Sequence, residues 1–216
     1  HNIRLRKGKQ DAERGKLFTK LAREIIVAAR DGGGNPDTNV RLRLAIQKAR
    51  EASMPADNIK RAIQRGTGEI EGAVYEEITY EGYAPAGVAV LVQCLTDNRN
   101  RTVAEVRNAF SKCGGSLGES GCVAWMFEQR GVVQVPADQS DEDSVLAATL
   151  DAGAEDIMVE DEFIEVHTQP ENLQAVRDAL NNAGIPVAQA DVTMVPKTTV
   201  RVEGAKEVSQ ILRLMD

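Results

Sequence analysis

The chain is poor in the residues from which most catalytic and metal sites are built. It has two histidines, His1 and His167, and three cysteines, Cys94, Cys113 and Cys122, in 216 residues. There is no C-x-x-C pair and no cluster of ligand residues at metal spacing, so no metal site and no cofactor is expected. An odd set of cysteines lying amid strand and helix patterns argues against a disulfide framework and fits a reducing cytoplasm. His167 sits in an acidic strand pattern with no Ser or Cys at hand to make a nucleophile. No apolar run approaches the ~20 residues that span a bilayer. No basic start leads into an apolar stretch of about 7–15 residues as in a signal peptide. A cytoplasmic protein is expected.

The glycine-rich stretches do not supply the missing chemistry. Gly32-Gly33-Gly34 lacks the Lys-Ser/Thr pair with which a P-loop holds phosphate and magnesium. Gly114-Gly115, Gly118 and Gly121 join a helix to a strand, whereas a dinucleotide loop runs from strand to helix. Both read as helix ends and loops. The acidic run Asp138–Asp143 lacks the alternating ligands and central Gly of a calcium loop and reads as a solvated helix start. The chain is therefore not expected to be an enzyme.

What the sequence has is segregated charge. Residues 1–65 carry 16 Lys and Arg against 7 Asp and Glu, and the remaining 151 carry 10 against 26. The whole-chain net of −7 conceals this division. A concentrated positive segment attracts polyanions while an acidic remainder repels them, which points to nucleic acid as the partner.

At this length more than one compact unit is expected. Leu17, Leu21, Ile25 and Ala28, bordered by Phe18, recur at helical spacing between Asp11 and Arg30. Gly32 ends that helix, and Asn39 can cap a second running to about Ser53. A third starts near Pro55 and stops at Gly66. After Gly72 the period changes. Tyr75–Tyr80 and Val88–Leu95 read as strands, the second apolar enough for burial on both faces. Arg101–Cys113 reads as a helix and Cys122–Glu128 as a strand. From Val132 a βαββαβ order follows: a strand ending at Pro136, a helix over 142–151, strands over 156–160 and 163–168, a helix over 171–183 and a strand over 187–195. This is the ferredoxin-like split unit. A short strand after Thr198 and a helix over 205–214 are expected to return to the 73–130 module. The expected fold class is thus α+β, three helices followed by two ferredoxin-like α/β domains: a basic three-helix domain over 1–72, a discontinuous α/β domain over 73–130 plus 198–216 as a second split unit, and an acidic βαββαβ domain over 131–197. The last holds 2 basic and 14 acidic residues. Its charge and its single Phe163 make it a poor RNA platform and a better protein-interaction or self-screening surface.

Phosphate binding needs cations on one rigid surface. Lys9, Lys16, Lys20, Arg23 and Arg30 fall on one narrow face of the first helix at ~100° per residue, expected to lie opposite the apolar stripe. Arg14 is on the same helix. Arg41 and Lys48 lie seven apart on the second helix, and Lys60, Arg61 and Arg65 form a third group. Arg4, Arg6 and Lys7, with Lys9, form a basic arm that would order on contact. Arg99 and Arg101 flank a helix start that Asn100 or Asp97 can cap, either as an anion site or as partners of carboxylates such as Glu105. These sixteen residues are the candidate nucleic-acid contacts. No helix presents an exposed Asn, Gln or Arg row of the kind that reads base edges.

Asp11-Ala-Glu-Arg-Gly-Lys-Leu-Phe-Thr-Lys20, Tyr75-Glu-Glu-Ile-Thr-Tyr-Glu-Gly-Tyr83 and Thr96-Asp-Asn-Arg-Asn-Arg-Thr102 carry a resemblance that runs through nearly the whole chain. Arg41-Leu-Arg-Leu-Ala-Ile46, Met54-Pro55, Asn58-Ile59 and Arg65-Gly-Thr-Gly68 extend it. With these segments the chain resembles the YebC/PmpR family. The resemblance implies a helical first domain followed by two α/β domains. It also implies a chain trimmed of a short basic segment with a Trp before His1 and of a strand after Asp216. Bacterial members of that family are described as DNA-binding transcriptional regulators, so the resemblance implies that function here. Other members, a mitochondrial relative among them, act in translation at the ribosome, some of them on stalling at proline-rich stretches. A ribosome-associated factor binding ribosomal RNA is therefore the alternative, because duplex DNA and ribosomal RNA present the same phosphate charge.

Overall fold

The computed structural model describes the backbone of residues 2–216 and the side chains from Arg14 onward. The chain forms two compact units, His1–Tyr83 with Val90–Gly118, and Ala84–Ala89 with Glu119–Asp216.

The first unit begins with three helices, α1 (Asn2–Gly32), α2 (Val40–Glu51) and α3 (Ala56–Gly66). Leu21, Ile25 and Ala28 of α1 meet Leu42, Ala45, Ile46 and Ala49 of α2 and Ile59 and Ala62 of α3 in one apolar core. The stretch expected as a basic arm is helical backbone in the first turns of α1. Its Arg4, Arg6, Lys7 and Lys9 side chains lie outside the described residues.

Two local devices set this bundle. Asn39 caps α2 by accepting from the Leu42 amide at 3.0 Å, and its own amide donates to the carbonyls of Ala28 and Gly33 at 2.8 Å each. One buried side chain thus ties the end of α1 to the start of α2. Gly66 lets α3 meet α1: a Cβ there would lie 2.5 Å from the Ile26 carbonyl oxygen and 2.7 Å from the Ala29 methyl.

The unit continues with β1 (Glu76–Ala84), β2 (Val88–Thr96), α4 (Arg99–Lys112) and the short β3 (Ser116–Leu117), in a sheet of order β2-β1-β3. β2 ends that order, and its residues are half-buried rather than buried on both faces. Burial on both faces needs packed layers above and below the sheet.

The second unit is built on β4 (Phe127–Pro136), α5 (Glu142–Thr149), β5 (Ala154–Val159), β6 (Phe163–Thr168), α6 (Leu173–Asn182) and β7 (Gln189–Pro196). Its sheet is antiparallel in the order β5-β6-β4-β7. The βαββαβ reading is realised with its central strand in place, so the α+β class holds. Val133, Val135, Ile164 and Val166 point to the helix side and are buried with Val145, Leu173, Val176 and Leu180.

Two expected strands are absent. Residues 122–126 form a loop that ends in a 3₁₀ turn at Ala124–Met126, and β4 starts at Phe127 and runs through Gly131 without a break. Gly131 lies within β4. A Cβ on it would lie 2.8 Å from the Thr168 methyl and 3.2 Å from the Leu173 Cβ, so the glycine admits α6 onto the strand. Residues 198–204 form no strand; they lead as irregular backbone into α7 (Ala205–Met215), which packs on the turn Pro85–Gly87.

Candidate nucleic-acid interface

The basic side chains of the first unit separate into two groups. The first group is engaged. Arg30 pairs with Asp31 at 2.8 Å and donates to the Tyr75 carbonyl. Arg41 reaches Asp31 at 3.5 Å and Glu77 at 3.1 Å, and Lys48 reaches Glu24 at 3.4 Å. Arg99 pairs with Glu76 at 3.1 Å, and Arg101 with Asp97 at 2.8 Å. The α4 cap is Asn98, whose side chain accepts from the Arg101 amide at 3.0 Å. Asp97 therefore serves as an ion-pair partner and Asn100 lies inside the helix, which leaves Arg99 and Arg101 as members of carboxylate pairs.

The second group is open. Lys16 and Lys20, one turn apart on α1, and Lys60, Arg61 and Arg65 on α3 are exposed, and among the described residues they have no carboxylate partner. Arg14 is exposed on the same stretch of α1, its guanidinium 5.8 Å from the Phe18 ring centroid. Because α3 packs along α1, these residues come from two adjacent rods.

Arg23 departs from the expected face. It is half-buried, with its guanidinium carbon 5.2 Å from the centroid of Tyr75. The α1 stripe explains this. Val27, one turn beyond Arg23, is fully buried on the side where the basic residues were expected, so the C-terminal half of α1 is enclosed on nearly every side. Only Lys16 and Lys20 of the five-residue row are both described and open.

Between α1 and α3 lies a groove of about 330 Å³ lined by Phe18, Ala22, Arg23, Met54, Arg61 and Tyr75, among others. A second hollow of about 540 Å³ shares Ile26, Arg65 and Tyr75 with it and carries Arg30. Tyr75 and Asn58 went unrecognised in the sequence as members of a site. Tyr75 reads as the start of a strand, and only the approach of α3 to α1 places it beside three arginines.

The chemistry of this surface is ionic. Its guanidinium and ammonium groups offer N–H donors and no acceptor. Elsewhere in the unit, burial pushes the Cys94 thiol up, which keeps it protonated and poorly nucleophilic. No helix among the described residues is long and apolar enough to cross a membrane.

The comparisons with known proteins cover the chain almost from end to end. Residues 1–69 match the family profile of the TACO1/YebC protein N-terminal domain, and residues 75–216 that of the TACO1/YebC second and third domain. A probable transcriptional regulatory protein of Persephonella marina is 53% identical over 100% of this chain and 87% of its own length. One from Pelotomaculum thermopropionicum is 56% identical over 99% of this chain and 88% of its own. The crystal structure of a conserved hypothetical protein from Aquifex aeolicus superposes with a TM-score of 0.86 at 49% identity, covering 95% of this chain and 84% of that one. The chain belongs to the TACO1/YebC family, whose curated relatives are named probable transcriptional regulatory proteins.

Proposed function

We propose that the protein is a non-enzymatic, nucleic-acid-binding regulator of gene expression, a DNA-binding transcriptional regulator that contacts its target through α1 and α3. The observation that carries this reading is the open set Lys16, Lys20, Lys60, Arg61 and Arg65, exposed and without carboxylate partners among the described residues. Cations already neutralised by carboxylates gain little from a phosphate, whereas open ones release condensed counterions from the polyanion when they bind. The names of the relatives support regulation of transcription, and the charge of the first 65 residues supports a polyanionic target.

The test is a gel shift with a cognate and a scrambled duplex, run beside co-sedimentation with ribosomes. A transcriptional regulator holds its cognate duplex by ~10³ or more over random duplex at physiological salt. Co-sedimentation with ribosomes that weakens as salt rises, without duplex preference, would instead assign the basic surface to ribosomal RNA and a translational role. Reversing Lys16 and Lys20 to Glu tests the surface itself. Arg23 is left intact in this variant, because reversal there would set a carboxylate against Tyr75 in place of a half-buried cation.

A further inference from the structure

The open lysines of α1 account for contact with a phosphate backbone, but not for the groove beside them. A duplex offers phosphates on its outside and keeps its bases stacked within. A phosphate needs no apolar hollow. Yet this groove pairs the guanidinium groups of Arg23, Arg61 and Arg65 with Phe18, Ala22, Ile26, Met54 and the ring of Tyr75. Its volume of about 330 Å³ is at the lower end of the ~300–1,000 Å³ typical of small-molecule sites. That is room for a group of nucleotide size, not for a helix or a strand pair. Arg23, which lines it, has a buried Nε–H without an acceptor among the described residues. A buried donor of this kind gains most from an anionic or carbonyl acceptor brought by a ligand.

We infer that the groove between α1 and α3 takes an unpaired nucleotide, one splayed out of its stack, with its phosphate on Arg61 and Arg65 and its base against the apolar floor beside Tyr75. This rests on the nucleic-acid reading above and adds to it a strand state, single or locally opened. The adjoining hollow past Arg65, with Arg30 and Gly68 on its wall, continues the track for the next nucleotide. Unstacked bases are bound in this way because every base has a flat apolar face, and cationic grooves with aromatic walls follow such strands without reading their sequence. RNA and DNA share this chemistry, and the presence of the 2′-hydroxyl distinguishes them.

The experiment is fluorescence anisotropy at one fixed salt concentration, with a labelled ~12-nucleotide RNA, the same sequence as single-stranded DNA, and the corresponding DNA duplex. The wild-type chain should bind a single strand at least ~10-fold more tightly than the duplex, and the stronger of the two single strands identifies the source. Two substitutions leave every charge in place: Tyr75→Leu removes the ring, and Asn58→Trp, at an exposed position in the first turn of α3, fills the groove from its rim. Each should bring the ratio of single-strand to duplex affinity down towards one, with thermal melts confirming that the bundle is folded. If Tyr75→Leu does not fold, Asn58→Trp still decides. Equal wild-type affinity for single strand and duplex overturns the inference while leaving the nucleic-acid reading intact. So does a ratio that survives a folded Asn58→Trp. Loss of binding to all three probes overturns both.

Discussion

The carboxamide of Asn39 makes three hydrogen bonds and leaves no room for substitution. Replacing it with Ala removes the α2 cap and leaves the Ala28 carbonyl without that donor in a buried setting. A cap is worth ~1 kcal/mol and a stranded buried acceptor ~1–3 more. Asn39→Ala should lower the unfolding free energy by about 2–4 kcal/mol, read from urea titration of the folded chain. Arg99 and Arg101 mark the opposite limit. Both stand on exposed pairs, with side-chain exposures of 66% and 54%. Exposed pairs contribute about 0–1 kcal/mol, so alanine at either should move the urea midpoint little. Retained nucleic-acid affinity in the same variants would confirm that these arginines serve their carboxylates. Asp141 adds a pH dependence. Its carboxylate accepts from the Ser144 amide and hydroxyl at the start of α5, which holds its pKa below the ordinary value. A depressed pKa stabilises the fold above the unfolded-state value near 3.9 and loses that contribution as the pH falls through the folded one. Asp141→Asn retains a capping oxygen without a charge, and should flatten this acid limb when urea midpoints are compared across pH.

At the scale of elements, Gly66 decides how near α3 comes to α1. A methyl at this position meets backbone, which cannot swing aside, so Gly66→Ala should destabilise by about 1–3 kcal/mol despite alanine's higher helix propensity. The same shift would widen the groove, giving anisotropy with a single-stranded probe a second readout. Elements were legible in the sequence where one local signal fixed them. Asn39, Pro55 and Gly66 marked α2 and α3 because caps and breakers act within a few residues. The βαββαβ order was legible because alternation and helical spacing persisted over whole elements. The role of Gly131 was not legible, since it depends on Leu173, some forty residues away, and not on its neighbours. The candidate site divides in the same manner. Charge clustering needs no tertiary knowledge, so the open lysines could be named in advance. Which cations would be neutralised by Asp31, Glu76 or Glu77 depends on where β1 runs relative to α1 and α2, and the sequence is silent on that.

For the molecule as a whole, the division between a basic first segment and an acidic remainder should make the proposed binding a function of ionic strength. Each phosphate contact removed lowers the slope of log affinity against log salt by ~0.9 on duplex DNA. Lys16→Glu with Lys20→Glu should therefore reduce that slope by about 1.8 and weaken binding most at low salt, with the melting temperature unchanged because both side chains are exposed. Residues 131–197 carry 2 basic and 14 acidic groups and should add nothing to the slope. Neutralising exposed carboxylates there, Glu160 and Asp161 for example, should leave it as it is.

The central position of β4 has a consequence for the order of assembly. β4 pairs with β7, joining Phe127 to Pro196 and Gln134 to Gln189, and those partners leave the ribosome long after β4 has been made. Until then one edge of the strand has no partner. The helical bundle faces no such wait, because Asn39 and its acceptors are neighbours in the chain. Closing a long loop before any bond rewards it slows a fold. During synthesis the helical bundle should therefore be complete while the acidic unit is still open, with β4 as the strand most exposed to mispairing if elongation halts between Pro136 and Gln189.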